Sequence, residues 1–393
     1  MKILSTGMGW FDHVPGGLNR YFADYLNVMS RVHDIEAIVT TDSRKIETQL
    51  NVSNVTEGDS NPSIINRTQS FRKLVQKKMS KNNYDVFNPH FALYSSLVTR
   101  GILPKHVPIV THFHGPWAQE GIAEDKHKNI IDRIKNESKE MVENIAYKRS
   151  DKFIVLSSYF QEILCNDYNI DKEKIYIVPG AVDTEVFKPS TKRNILRQKL
   201  GILEDQTFIF CARRLMRRMG IGNLIQAMKD VINQFPDTRL FIAGQGPLEA
   251  ELKSLIKECG LEDYVSMVGR LSDEDLVSYY QAADFSIVPT VTLEGFGLVT
   301  VESLACGTPV LGTPYGGTKE ILESFDRNLL FNDSSPESIS TKLISILNKE
   351  TTIPNREECR KYVMDNYTWK HVETSVTNIF KIAIKEKMDM IKK

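Results

Sequence analysis

The stretch Pro289–Glu302, PTVTLEGFGLVTVE, combines two carboxylates with a glycine turn and an apolar run at helical spacing. The apolar segment Phe285–Val288 leads into it, so the stretch is expected at the carboxyl end of a strand. Gly295-Phe296-Gly297 reads as a tight loop and Leu298–Cys306 as the helix that follows. The first amides of that helix, around Leu298 and Val299, can receive a diphosphate without any basic side chain. Glu294 stands on the loop and Glu302 inside the helix, so the two carboxylates can address different hydroxyls of one elongated ligand. Glu302 suits a ribose and Glu294 a transferred sugar. The plainer alternative is that Glu302 caps or solvates a surface while Glu294 ends a loop.

Four arginines, Arg213, Arg214, Arg217 and Arg218, follow another strand pattern in CARRLMRRMG. Guanidinium groups are costly to bury but favourable around phosphate oxygens, and Arg214 and Arg218 are the expected pyrophosphate contacts. The competing readings are a nucleic-acid patch or a solvated loop, and nucleic acid is disfavoured because no aromatic stacking residues accompany the cluster. Gly244-Gln245-Gly246-Pro247 also follows a strand pattern, and its glycines permit a close turn. Gly16-Gly17 opens directly onto a helix and can approach phosphate from another domain. The chain has no complete G-x-G-x-x-G at its first strand and no G-x-x-x-x-G-K-[ST], which argues against a dinucleotide dehydrogenase and a P-loop ATPase. His114, beside Gly115 and Pro116, is placed to turn into a cleft, with a core or surface histidine as the alternative. His112 and His114 could form a metal pair, yet no third ligand suggests itself, so no metal is expected. Asp273-Glu274-Asp275 follows Ser272 and fits a helix cap better than a metal site.

These residues need elements to hold them. Strand patterns at Lys2–Ser5, Ile35–Thr41, Asp85–Phe87, Pro108–His112 and Lys152–Leu156 alternate with helical segments such as Leu18–Met29 and Ile130–Tyr147. The series restarts at Thr207–Cys211 and runs through Arg239–Ala243, Val265–Val268, Phe285–Val288 and Pro309–Leu311. Apolar strands flanked by helices predict an α/β protein with two Rossmann-like parallel-sheet domains facing across a cleft. Val186–Ser190, which carries Pro189, is the expected boundary. It divides the chain into domains 1–186 and 191–370, with a helix over 371–393 that could pack back on the first domain.

At 393 residues the chain is long enough for two cores of roughly 150–200 residues. Lys+Arg and Asp+Glu are both 50, so no whole-protein charge favours nucleic acid. The five cysteines form no Cys-x-x-Cys pair and suit a reducing cytoplasm better than a disulfide framework. No apolar run approaches the roughly 20 residues of a membrane span, although peripheral contact with the cytoplasmic membrane face needs only one amphipathic surface.

Taken in order, Gly16-Gly17, His114-Gly115, Pro179–Asp183, Arg214-Leu215, Gly244–Pro247, Glu294–Glu302 and Gly316–Glu320 resemble the retaining glycosyltransferases of family 4, which have the two-domain GT-B fold. The resemblance covers nearly the whole chain and is strongest from Thr207 to Glu320. It implies a nucleotide-diphosphate sugar as substrate, bound mainly by the second domain, and a hydroxyl-bearing acceptor bound mainly by the first, with no cofactor and no metal. Glu302 would then hold the nucleotide ribose, Glu294 the donor sugar, Arg214 the phosphates, and His114 would stand near the reacting carbon. The family usually has lysine-glycine where this chain has Met219-Gly220, and Arg218 is expected to supply the missing charge. An epimerase or a phosphorylase on the same plan, or a non-catalytic sugar-nucleotide-binding protein, stay open as alternatives. So do the donor, the acceptor, the linkage and the oligomeric state.

Overall fold

The computed structural model describes residues 1–14, 16–41, 44–58, 62–124 and 130–392. The chain forms two compact units, one made of Met1–Gly180 with Trp369–Lys393 and the other of Ala181–Thr368.

In the first unit the strands are β1 (Lys2–Thr6), β2 (Asp34–Val39), β3 (Asn51–Asn54), β4 (Val86–Pro89), β5 (Val110–Phe113), β6 (Lys152–Val155) and β7 (Ile175–Ile177). They pair in the orders β3-β2-β1-β4 and β5-β6-β7, and a bridge between Phe87 and Ile109 links the two groups. Every pairing is parallel, with Ile3 opposite both Ile35 and Val86. In the second unit β8 (Thr207–Ala212), β9 (Thr238–Ala243), β10 (Val265–Gly269), β11 (Phe285–Val288) and β12 (Val310–Gly312) form one parallel sheet in the order β10-β9-β8-β11-β12. Parallel strands need long crossovers, and helices fill them here. The two units are therefore Rossmann-like, as the strand patterns predict.

Burial explains why most strands were readable. In β8, Phe208, Ile209, Phe210 and Cys211 are all fully buried. A side chain such as Phe208 contributes about 1.5–3 kcal/mol by leaving water, so a central strand reads as a continuous apolar run. Two strands carry no such signal. Asn51–Asn54 is a polar edge strand, and Ile175–Ile177 is a three-residue edge strand whose last isoleucine is exposed.

The boundary also differs from expectation. Val186–Ser190 is not a free linker but belongs to the second unit, where Arg360 donates to the Phe187 carbonyl at 2.8 Å and to the Thr184 carbonyl at 2.9 Å. The last helix starts at Trp369 rather than 371. Within the first unit, Trp369 packs on Tyr21 with ring centroids 5.3 Å apart, His33 bonds Thr377 at 2.8 Å and Lys387 pairs with Asp151 at 2.9 Å.

Candidate active site

In an open parallel sheet, ligands collect beyond the strand carboxyl ends where the winding direction reverses. In the second unit that point lies between neighbouring strands β8 and β11, because the chain winds outward through β9 and β10 before returning. The loops after β8 and β11 are the two stretches singled out above for phosphate and sugar.

These loops are locked together by backbone contacts. Val291 N–H donates to the Arg218 carbonyl at 2.8 Å. Gly220 has φ 70°, and a Cβ there would overlap the Pro289 carbonyl oxygen, so only glycine fits. From the other side, Gly317 N–H donates to the Glu294 carbonyl at 2.8 Å, and a Cβ at Gly316 would overlap the same oxygen. Between these anchors Leu293 adopts φ 55°, a left-handed conformation that costs a non-glycine residue about 1–3 kcal/mol. Strain of this kind persists only where the surroundings over-determine it.

Arg213 organises the polar centre of the loop pair. Its guanidinium forms an ion pair with Glu294, donates to Thr290 Oγ1 at 2.6 Å and lies 2.8 Å from Met219 Sδ. Thr290 Oγ1 also donates to Glu294 at 3.0 Å. The Arg213 and Glu294 side chains are only 7% and 12% exposed, so removing either would strand a charge, which typically costs 3–5 kcal/mol. Arg213 belongs to the arginine cluster but was not among the expected contacts; nothing in the sequence distinguishes it from its neighbours.

Arg218 is placed differently from the expected phosphate-facing group. It is 6% exposed and donates from Nη1 to the Leu293 carbonyl at 2.9 Å, which supports the strained residue from beneath. Arg214, by contrast, is exposed. The glycines of Gly244–Pro247 are explained by packing. A Cβ at Gly244 would overlap the Arg213 carbonyl, one at Gly246 the Leu215 carbonyl, and Gly244 N–H donates to the Gly269 carbonyl at 2.7 Å.

Gly295 and Phe296 carry the loop to the helix Leu298–Ala305, which starts at Gly297 in a left-handed conformation, with no side chain capping the amides of Leu298 and Val299. A Cβ at Gly297 would overlap Thr318 Oγ1. Glu302 is 5% exposed, and Tyr280 Oη donates to it at 3.4 Å, so it is not a solvated surface group. Burial pushes the Cys211 and Cys306 thiols up to about 12, which leaves neither as a thiolate nucleophile. Ser272 caps the helix Asp273–Ala282, accepting from Asp275 N–H at 3.1 Å, as the sequence suggested.

In the first unit the winding reverses between β1 and β4. Gly16 precedes the helix Gly17–Met29 there and caps it with no side chain. His114 follows β5 and is half-buried. Its turn is fixed by Gly115 at φ 135° and by the buried Glu143, whose carboxylate accepts from the amides of Trp117 at 2.8 Å and Ala118 at 3.2 Å. His90, at the end of β4, was missed by the sequence reading. Its Nδ1 lies 3.0 Å from His114 Nε2, and its ring stacks on His112 with centroids 4.0 Å apart. Burial pushes all three imidazoles down, His114 to about 3 and the others well below the usual value, so they are neutral at physiological pH. The stacked histidines do not surround a common point. Among the described residues no group of three histidine, cysteine or acidic side chains is arranged to hold a metal ion, and no helix is long and apolar enough to cross a membrane.

Residues 15–186 match the model of Glycosyltransferase Family 4, and residues 192–365 match that of Glycosyl transferases group 1. A D-inositol 3-phosphate glycosyltransferase of Corynebacterium aurimucosum is 26% identical over 77% of this chain and 72% of its own length. A GDP-mannose-dependent monoacylated α-(1-6)-phosphatidylinositol monomannoside mannosyltransferase of Corynebacterium glutamicum is 32% identical over 51% of this chain, which spans 55% of that relative. Among solved structures, sucrose-phosphate synthase from Thermosynechococcus elongatus superposes with a TM-score of 0.80 at 20% identity, covering 98% of this chain and all of its own. The Anabaena protein HepE in complex with UDP-glucose gives 0.73 at 19% identity, covering 99% and 100%. These structural likenesses bear on the fold, and the two family models, matched in order along almost the whole chain, bear on ancestry. The chain belongs to the family 4 glycosyltransferases and has the GT-B fold.

Proposed function

We propose that the protein transfers a hexosyl group from a nucleotide-diphosphate sugar to an acceptor hydroxyl, with retention at the anomeric carbon and without a metal ion. The observation that carries this reading is the Arg213–Glu294–Thr290 cluster beside an uncapped helix start, at the point where the second sheet reverses its winding. A carboxylate held rigidly by an arginine and a threonine is suited to sugar hydroxyls, and open helix amides are suited to a diphosphate. Glu302 takes the ribose in this reading, while Arg214 and the amides of Leu298 and Val299 meet the phosphates. The positive charge that Met219 lacks comes from Arg213, whose guanidinium lies against the Met219 sulfur, and Arg218 serves as a prop for Leu293.

In the reaction, the bond from the anomeric carbon to the diphosphate oxygen breaks and the bond from that carbon to the acceptor oxygen forms. Positive charge develops on the sugar and negative charge on the departing diphosphate, which the arginines and helix amides stabilise. Attack on the face being vacated gives retention, and the acceptor proton passes to a diphosphate oxygen. The test is a screen of nucleotide-diphosphate hexoses against hydroxyl acceptors, with products identified by mass and anomeric configuration by NMR. Transfer with retention is expected. Inversion would remove the same-face mechanism, and nucleotide binding with no transfer or hydrolysis from any donor would overturn the activity.

A further inference from the structure

The histidines at the reversal point of the first sheet form a hydrogen-bonded chain whose direction can be read from one fixed end. Asn88, on β4, is fully buried, and its Nδ2 lies 2.7 Å from the Val110 carbonyl oxygen. A carbonyl can only accept, so this side of the amide is the donor and Oδ1 faces the other way. Oδ1 meets Ser5 Oγ at 3.1 Å, Tyr25 Oη at 2.9 Å and His90 Nε2 at 3.0 Å. An amide oxygen likewise only accepts, so His90 Nε2 carries a proton. Because His90 is neutral, its Nδ1 is then a lone pair. The atom 3.0 Å from that lone pair is His114 Nε2, which must therefore donate. His114 is neutral too, so its Nδ1 is left unprotonated. His112 branches from the same anchor. Asn88 Nδ2 also donates to His112 Nδ1 at 2.9 Å, which leaves His112 outside the chain that ends on His114.

We propose that His90 is a positioning residue, one that locks His114 in its Nε2–H tautomer so that His114 presents an unprotonated Nδ1 to accept from a substrate hydroxyl. The role rests on the reading above that His114 stands at the reacting sugar. Burial supports it, since stacked imidazoles, His90 sealed in and His114 half-buried, resist the second proton that would erase the tautomer. His114 Nδ1 enters no hydrogen bond among the described residues, and the residue is half-buried, whereas His90 and His112 are sealed in.

The experiment is ¹⁵N NMR of the full chain labelled at histidine, with the His114 signals assigned by comparison with His114→Gln. Wild type should show a protonated Nε2 and an unprotonated Nδ1 at His114 across about pH 5 to 8, the range in which an ordinary histidine titrates. An Nδ1–H form, a mixture or an imidazolium would overturn the proposal. His90→Leu removes the acceptor, and His114 should become a tautomer mixture while kcat falls about 10-fold to 100-fold, as when a group orienting an active histidine is lost. His90→Gln keeps an acceptor and a donor in similar places and should restore the tautomer and most of kcat. Binding of free nucleoside diphosphate should be unchanged in both variants. An unaltered His114 spectrum and kcat in His90→Leu would also overturn the proposal. The spectra decide the tautomer even if no donor is turned over, so failure of the transferase reading shows separately, as absent transfer in wild type. If His90→Leu does not fold, the wild-type spectrum and the His90→Gln rates still decide.

Discussion

The two sheets reverse their winding in the same way and furnish the two reversal points with opposite chemistry. At β8/β11 the side chains are ionic: Arg213 paired with Glu294, Arg218 beneath, Arg214 exposed. At β1/β4 they are neutral, with His90, His112 and His114 uncharged and ringed by Tyr21 and Tyr25. The sequence sharpens the contrast. All eight histidines and all three tryptophans lie in Met1–Gly180 or Trp369–Lys393, and the second unit has neither. Fixed charges suit a ligand that arrives highly charged and must be held as charge moves. A neutral hydrogen-bonding network suits hydroxyl groups, which require direction more than field.

The strongest way to break this comparison is to neutralise the ionic side. Arg213→Met and Glu294→Gln should each cost about 2–4 kcal/mol of transition-state stabilisation, a loss of roughly 30-fold to 1,000-fold in kcat/KM at 25 °C. Arg218→Met should cost less, about tenfold, because it acts through Leu293. The ranking is read by steady-state kinetics on folded variants, and a larger loss in Arg218→Met than in Arg213→Met would return the phosphate role to Arg218.

A second test uses pH. The folded values of His90, His112 and His114 lie below the unfolded value near 6.5, so between these limits the unfolded chain binds more protons than the native one. Stability of the first unit is therefore complete above pH 6.5 and is lost as pH falls below it, by at most about 1.4 kcal/mol per pH unit for each histidine. Tryptophan fluorescence reports only the first unit, whereas circular dichroism reports both. Its melting temperature should fall on going from pH 7 to pH 5 more steeply than the transition assigned to the second unit. Equal shifts would mean that the histidines are not buried neutral.

The smallest expected effect concerns metal. Arginines and helix amides already meet the diphosphate in the proposed mechanism, so transfer after exhaustive chelation should stay near its starting rate. Complete loss, restored by magnesium or manganese, would require an ion that the ionic site does not replace.

How much of this was legible depended on how local each signal is. Gly295–Glu302 was readable because a strand, a glycine turn and a helix follow one another within the segment itself. The direction of Arg218 was not, because it is set by Leu293, a residue 75 positions away on a neighbouring loop. The role of Arg213 was hidden likewise, since its partners Thr290 and Glu294 arrive from β11. His90 is a lone histidine after an apolar strand, and its meaning comes from a contact with His114 across two strands. Pro189 breaks the strand rhythm without marking a linker, because the Thr184 and Phe187 carbonyls that precede it accept from Arg360, a contact invisible in the local sequence.

The first unit is assembled from both ends of the chain, and this has a consequence for synthesis. A ribosome supplies Tyr21 early, but Trp369, which covers it, emerges only after the whole second unit. The second unit, contiguous in sequence, can close on itself as soon as Thr368 is free. The amino-terminal half must wait with one flank open, although it was made first. A nascent chain stalled just before Trp369 would thus carry a finished second unit beside an unfinished first unit, and chaperone binding or proteolysis at that stage should fall on Met1–Gly180.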